Sequence, residues 1–134
     1  MARAKKKTKI LLIEDDAFLA EVYSTKFDLE GLTCDLATTG EKGLELARKE
    51  LPDLILLDIL LPSLDGFAVL KALKKDHKTR DIPVVLLTNL SQKEDIREGL
   101  KLGAVDYLIK AHFMPAEVIA KIKNVLNNHH VANN

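Results

Sequence analysis

Four short apolar runs govern what this chain can become: KILLIED at 9–15, DLILLD at 53–58, IPVVLLT at 82–88 and AVDYLIK at 104–110. Each is too short for a core helix and too apolar for a strand with one wet face. Runs of this kind suit strands covered on both faces, as in a parallel sheet. A fifth run, LTCDLA at 32–37, carries polar residues in its middle and suits a sheet edge.

Helix-length segments separate the runs. Phe18, Val22 and Leu29 share one helical stripe, and Leu44, Ala47 and Leu51 form another. Leu70 with Leu73, and Ile96 with Leu100, give shorter stripes. Val118, Ile122 and Val125 mark the last helix, with Pro115 at its start, where a missing N–H costs least. Gly31 and Gly103 read as helix stops, and Ser91 as an N-cap. The pattern is β-α repeated five times, which predicts a parallel sheet with helices on both faces. Right-handed crossovers and a weak second strand favour the flavodoxin-like order 2-1-3-4-5.

A length of 134 residues fits one domain, with 8–127 as its body. The basic start, residues 1–7, and the end, 128–134 (NHHVANN), read as tails. Hydrophobic residues at 47% and charged residues at 30% describe a globular chain rather than a membrane span. Formal net charge is zero, so no global field draws in nucleic acid or anionic lipid. Cys34 is the one cysteine, which excludes an intrachain disulfide and suits a reducing cytoplasm.

The strand ends carry the chemistry. In open parallel sheets, sites form beyond the carboxyl ends of the strands. The first strand ends in Glu14, Asp15 and Asp16, the third in Asp58, the fourth in Thr88 and the fifth in Lys110. Any one has a plain explanation: a helix cap, a turn residue, a solvated lysine. Their joint arrival on neighbouring strands predicts one polar crevice. It also explains why a carboxylate interrupts the apolar stretch LPDLILLDILLPSLDG. Clustered carboxylates repel unless a cation joins them, and oxygen-only ligands suit Mg²⁺. Acids, an ammonium and a hydroxyl are also what phosphoryl transfer uses. An Asp can itself be the nucleophile.

ILLIEDD, LILLDILLPSLDG, PVVLLTN and DYLIK, in this order, resemble the receiver domain of two-component response regulators, over about residues 8 to 127. The resemblance implies that Asp58 is the phosphoacceptor. It implies Asp15 as main acidic metal ligand, Glu14 assisting through water, and Asp58 with the Leu60 carbonyl completing the set. Thr88 and Lys110 would hold the phosphoryl group, and Tyr107 would be the switch aromatic. Pro62 and Gly66 match the loop after the acceptor. Two positions depart from the family: Ala111 stands where a proline, often cis, usually follows the lysine, and Asn89 stands where a small residue usually follows the threonine.

The resemblance further implies a sensor histidine kinase or histidine phosphotransfer protein as donor. A protein target would be met through the fourth helix, fifth strand and fifth helix, with a phosphorylation-dependent homodimer as one output. A stand-alone receiver, without direct nucleic-acid or membrane contact, would catalyse only its own phosphorylation and dephosphorylation. Three other readings compete. A flavin carrier would need a phosphate loop where EDDAF stands. A dehalogenase-like phosphatase would need an acid where Leu60 stands. A docking module would leave Asp58 unphosphorylated.

Overall fold

The computed structural model describes residues 7–132, with side chains through 128. Five parallel strands form one sheet in the order β2-β1-β3-β4-β5. They are β1 (Lys9–Ile13), β2 (Thr33–Ala37), β3 (Leu54–Leu57), β4 (Val84–Thr88) and β5 (Asp106–Ile109). Between and after them run α1 (Ala17–Leu29), α2 (Gly40–Glu50), α3 (Gly66–Lys75), α4 (Lys93–Lys101) and α5 (Pro115–Ala132). This is the flavodoxin-like arrangement that the alternating pattern predicts.

Alternation along the central strands makes two cores. Ile10, Leu12, Leu54 and Leu56 face α1 and α5, where Tyr23, Phe27, Val118 and Ile122 cover them. Leu11, Ile13, Ile55 and Leu57 face the other way, under Ala47, Val69, Leu70 and Leu73 of α2 and α3. Both sheet faces are buried, so the strands read as unbroken apolar runs. Each fully buried Leu or Ile contributes about 1.5–3 kcal/mol of transfer free energy.

Several expectations need correction. Phe18 and Leu29 are each 78% exposed, because α1 turns Ala20, Tyr23 and Phe27 to the sheet instead. Leu51 is exposed as the left-handed C-cap of α2, while Ala47 is buried. Leu100 is largely exposed, and Gly99 is the buried residue of α4. The α4 N-cap is Gln92, one residue after Ser91, and its side chain makes no capping bond. Backbone helix continues to Ala132, into the segment read as a tail from 128. Residues 1–6 of the expected basic tail lie outside the described residues. Gly31 and Gly103 do follow helix ends, with φ of 80° and 113°.

Candidate functional site

β1 and β3 are paired neighbours, so their carboxyl ends deliver Glu14 and Asp58 side by side. Both are buried, at 2% and 4% exposure. Two carboxylates this deep demand a counter-charge. Lys110 supplies it from just beyond β5: its Nζ lies 2.7 Å from Glu14 Oε1 and 2.7 Å from Asp58 Oδ2. The other Asp58 oxygen, Oδ1, accepts the Leu60 N–H at 3.0 Å. Glu14 also accepts the Asp16 N–H. Every charged group in this pocket therefore has a partner.

Burial dominates at Glu14 and pushes its carboxyl above the usual range, against the opposing pull of Lys110. Burial alone would lower Lys110, but the hydrogen bonds it donates to Asp58 and Glu14 together hold it above its ordinary value. The ammonium is thus firmly charged, which suits a group that neutralises anionic oxygens.

Asp15 and Asp16 have separate surroundings. Asp16 is the N-cap of α1 and accepts the Leu19 N–H through Oδ1 at 3.1 Å. Asp15 is exposed beside the crevice. Carboxylate oxygens of Glu14, Asp15 and Asp58 lie within 4.8 Å of one another. Three hard oxygen donors at this spacing fit a small divalent cation. Leu60, whose carbonyl is a candidate ligand, has an exposed side chain.

The loop after Asp58 closes tightly. Gly66 N–H donates to the Ile59 carbonyl at 2.9 Å, and a Cβ on Gly66 would sit 2.4 Å from the Asp58 carbonyl oxygen. Only glycine lets α3 start this close to the acid. Asp65 then caps α3, accepting the Ala68 N–H. Ser63 takes a left-handed φ of 56° in the same loop, with its hydroxyl against Glu41.

On the other side, Thr88 ends β4 fully buried, and its Oγ accepts the Leu90 N–H at 3.3 Å. The Leu90 carbonyl in turn accepts the Tyr107 hydroxyl at 2.5 Å. Leu90 is therefore a backbone link between the two residues named as switch candidates, and sequence reasoning missed this role. No signal could have revealed it, because any residue supplies the same N–H and C=O. Burial pushes the Tyr107 hydroxyl up to about 12. Gly99 makes room for its ring: a Cβ there would meet Leu86 Cδ1 at 2.5 Å and the Tyr107 ring at 3.0 Å.

Lys110 opens a short 3₁₀ turn, Lys110–His112. The described residues contain no cis peptide bond, so the Lys110–Ala111 bond is trans. Phe113 after the turn packs against the α1/α5 core, with the Lys121 ammonium 5.3 Å from its ring centroid. Asn89 is exposed. Among the described residues no helix is long and apolar enough to cross a membrane.

Comparison with known proteins agrees with this architecture. Residues 10–123 match the family model of the response regulator receiver domain. The DNA-binding dual master transcriptional regulator RpaA of Synechocystis sp. is 41% identical over 118 residues, 88% of this chain and 48% of that protein. A relative named ycf27 from Guillardia theta is 38% identical over 120 residues, 90% of this chain and 46% of that one. The chain thus spans about half the length of the curated relatives it matches. Among solved structures, a CheY-like receiver domain protein from Methanospirillum hungatei JF-1 superposes with a TM-score of 0.88 at 25% identity, covering 95% of this chain and 99% of that one. The receiver domain of Francisella response regulator 1452 does so with a TM-score of 0.83 at 34% identity, covering 91% and 98%. The chain belongs to the response regulator receiver domain family of two-component signalling.

Proposed function

We propose that Asp58 accepts a phosphoryl group from the phosphohistidine of a sensor kinase or phosphotransfer protein. The observation that carries this reading is the Lys110 ammonium held 2.7 Å from the buried Asp58 carboxylate at the mouth of the sheet. An Asp58 oxygen attacks phosphorus, the phosphorus–nitrogen bond breaks, and the donor imidazole leaves. Lys110 then pairs with the new phosphoryl oxygens, and Thr88 offers its hydroxyl to them. Glu14, Asp15, Asp58 and the Leu60 carbonyl would hold Mg²⁺. That ion supplies charge neutralisation to the transferring group.

Output follows from the Thr88–Leu90–Tyr107 chain. If Thr88 swings toward a phosphoryl group, its hydrogen bond with Leu90 changes, and the Tyr107 hydroxyl shares that residue. The α4-β5-α5 surface, where Leu100 and Val105 are exposed, would report the change to a protein target. RpaA is described as DNA-binding; this receiver, with formal net charge zero, is read as having no direct nucleic-acid contact. The domain turns over no external substrate.

Intact-mass analysis after incubation with a small phosphodonor and Mg²⁺ tests the proposal. One phosphate should add, labile to hydroxylamine as an acyl phosphate, and Asp58→Asn should abolish it. Equal labelling of the variant would refute the assignment. A folded parent that never labels, even from phosphohistidine, would favour the docking module.

A further inference from the structure

Gly99 is the one buried residue of α4, so this helix rests on the sheet through a position with no side chain. Its backbone does not call for glycine. Among the described glycines only Gly31 and Gly103 have positive φ, and it is Gly103 that ends α4, with the Ala104 N–H donating to the Gly99 carbonyl at 3.1 Å. Inside a helix glycine is weaker than alanine, so its presence at 99 calls for a reason of space. A Cβ there would lie 2.5 Å from Leu86 Cδ1, and 3.0 and 3.3 Å from Tyr107 Cδ2 and Cε2. Leu86 is fully buried and has no room to withdraw. Tyr107 stands on β5, at the edge of the sheet, and is only partly buried. Its ring is therefore the group that would give way. From this seat the contacts run to the carboxyl end of the sheet: the Tyr107 hydroxyl donates to the Leu90 carbonyl at 2.5 Å, and the Leu90 N–H donates to Thr88 Oγ at 3.3 Å.

We propose that Gly99 is a positioning residue: the space it leaves seats the Tyr107 ring before any phosphoryl group arrives, and the seated hydroxyl holds Leu90, and through it the Thr88 hydroxyl, in place for transfer to Asp58. Only the last link rests on the reading of Asp58 as phosphoacceptor; the seat itself belongs to the unphosphorylated chain. A ring pushed out by a Cβ takes its hydroxyl away from Leu90, and the loop after β4 loses its tie to β5. Thr88 must then be ordered at the moment of transfer, which slows the step. Glu14, Asp15, Asp58 and Leu60 lie at the ends of β1 and β3, away from α4, so metal binding does not pass through this seat.

Fluorine NMR of the full chain labelled with fluorotyrosine tests the proposal. The chain has two tyrosines, so two resonances are expected, and Tyr107→Phe assigns them. In the parent without phosphodonor, the Tyr107 resonance should be protected from a soluble paramagnetic agent. Gly99→Ala should move it to an exposed position and lower the seated-to-released ratio by about tenfold, the size of an ordinary overpacking penalty. Phosphorylation of this variant by a small phosphodonor should slow several-fold, with Mg²⁺ affinity unchanged. Helix propensity alone would make alanine the more stable residue, so a lower urea midpoint also marks the seat. That loss should shrink in a Tyr107→Ala background, because Leu86 can then turn into the vacated space. An exposed Tyr107 resonance in the parent, a measurement that needs no substituted chain to fold, would overturn the proposal. So would a Gly99→Ala loss that Tyr107→Ala leaves unchanged, since Gly99 would then only space α4 from Leu86. A released ring with phosphorylation at the parent rate would overturn the link to Thr88. A parent that takes no phosphate refutes the phosphoacceptor reading instead, and the fluorine spectra still decide the seat.

Discussion

The two ends of the sheet hold similar sets of charges and treat them differently. At the amino end, Lys9 meets Glu50 at 2.6 Å and Asp35 at 3.8 Å, and its backbone N–H donates to Asp53. At the carboxyl end, Lys110 meets Glu14 and Asp58, with Asp15 beside them. Each end has one lysine and three carboxylates. The Lys9 cluster is open to water, with side chains about a quarter to a third exposed, while the two carboxylates paired with Lys110 are buried. Water screens the first set and makes it nearly dispensable. The second set has only itself, so each member depends on the others. Equal charges thus make a surface brace at one end and a buried, interdependent pocket at the other.

The sharpest way to break this comparison is to remove each lysine. Lys110→Ala leaves two buried carboxylates facing each other and should cost about 3 kcal/mol in metal-free urea unfolding. Added Mg²⁺ should recover part of the loss. Lys9→Ala should cost far less, because water screens the open cluster. Equal losses would mean that burial does not separate the two ends.

A second difference is the apolar rim. Leu60 and Leu90 flank the Asp58 pocket in sequence, two residues past the acid and two past Thr88. Neither side chain can orient a water for attack on the phosphorylated acid. Leu60→Asn with Leu90→Glu should shorten the lifetime of phospho-Asp58 about tenfold, equivalent to ~1.4 kcal/mol of barrier. Mg²⁺ affinity should hold, because Leu60 would bind through its carbonyl. Decay of the phosphorylated mass after donor removal measures this, and an unchanged rate would turn attention to Asn89.

Within the carboxyl-end cluster, adjacent acids should separate cleanly. Asp16→Ala removes the α1 cap and should cost ~1 kcal/mol of stability while sparing Mg²⁺ affinity. Asp15→Ala should weaken Mg²⁺ binding with little loss of stability. Parallel Mg²⁺ titrations and thermal melts decide, and equal metal losses would show the acidic cluster to be misassigned.

The smallest effect is spectroscopic. Both tyrosines, Tyr23 and Tyr107, lie toward the site, and burial pushes each hydroxyl up to about 12. A folded pKa above the unfolded value near 10 means the unfolded chain loses these protons first. Stability should therefore fall as pH rises from about 10 toward 12. Tyrosinate absorbance of the native protein should stay low at pH 10, where free tyrosine is half ionised. A normal titration there would mean that water reaches both rings.

Local pattern was enough for the order of elements, the doubly buried strands and the polar groups at their ends. Apolar run length and spacing are properties of the chain itself, and a parallel sheet is their economical solution. That Glu14, Asp58, Thr88 and Lys110 belong to strand ends was legible for the same reason. Which face of α1 would meet the sheet was not: Phe18, Val22 and Leu29 are as apolar as Ala20, Tyr23 and Phe27, and periodicity cannot rank two apolar faces. The α4 cap at Gln92 and the link through Leu90 were equally hidden, since backbone groups look alike at every residue. Only the tertiary structure placed one ammonium 2.7 Å from two acids, Asp58 being 52 residues away along the chain. Contacts at that separation are set by how the strands stack, and their energies depend on a burial that no single stretch of sequence contains.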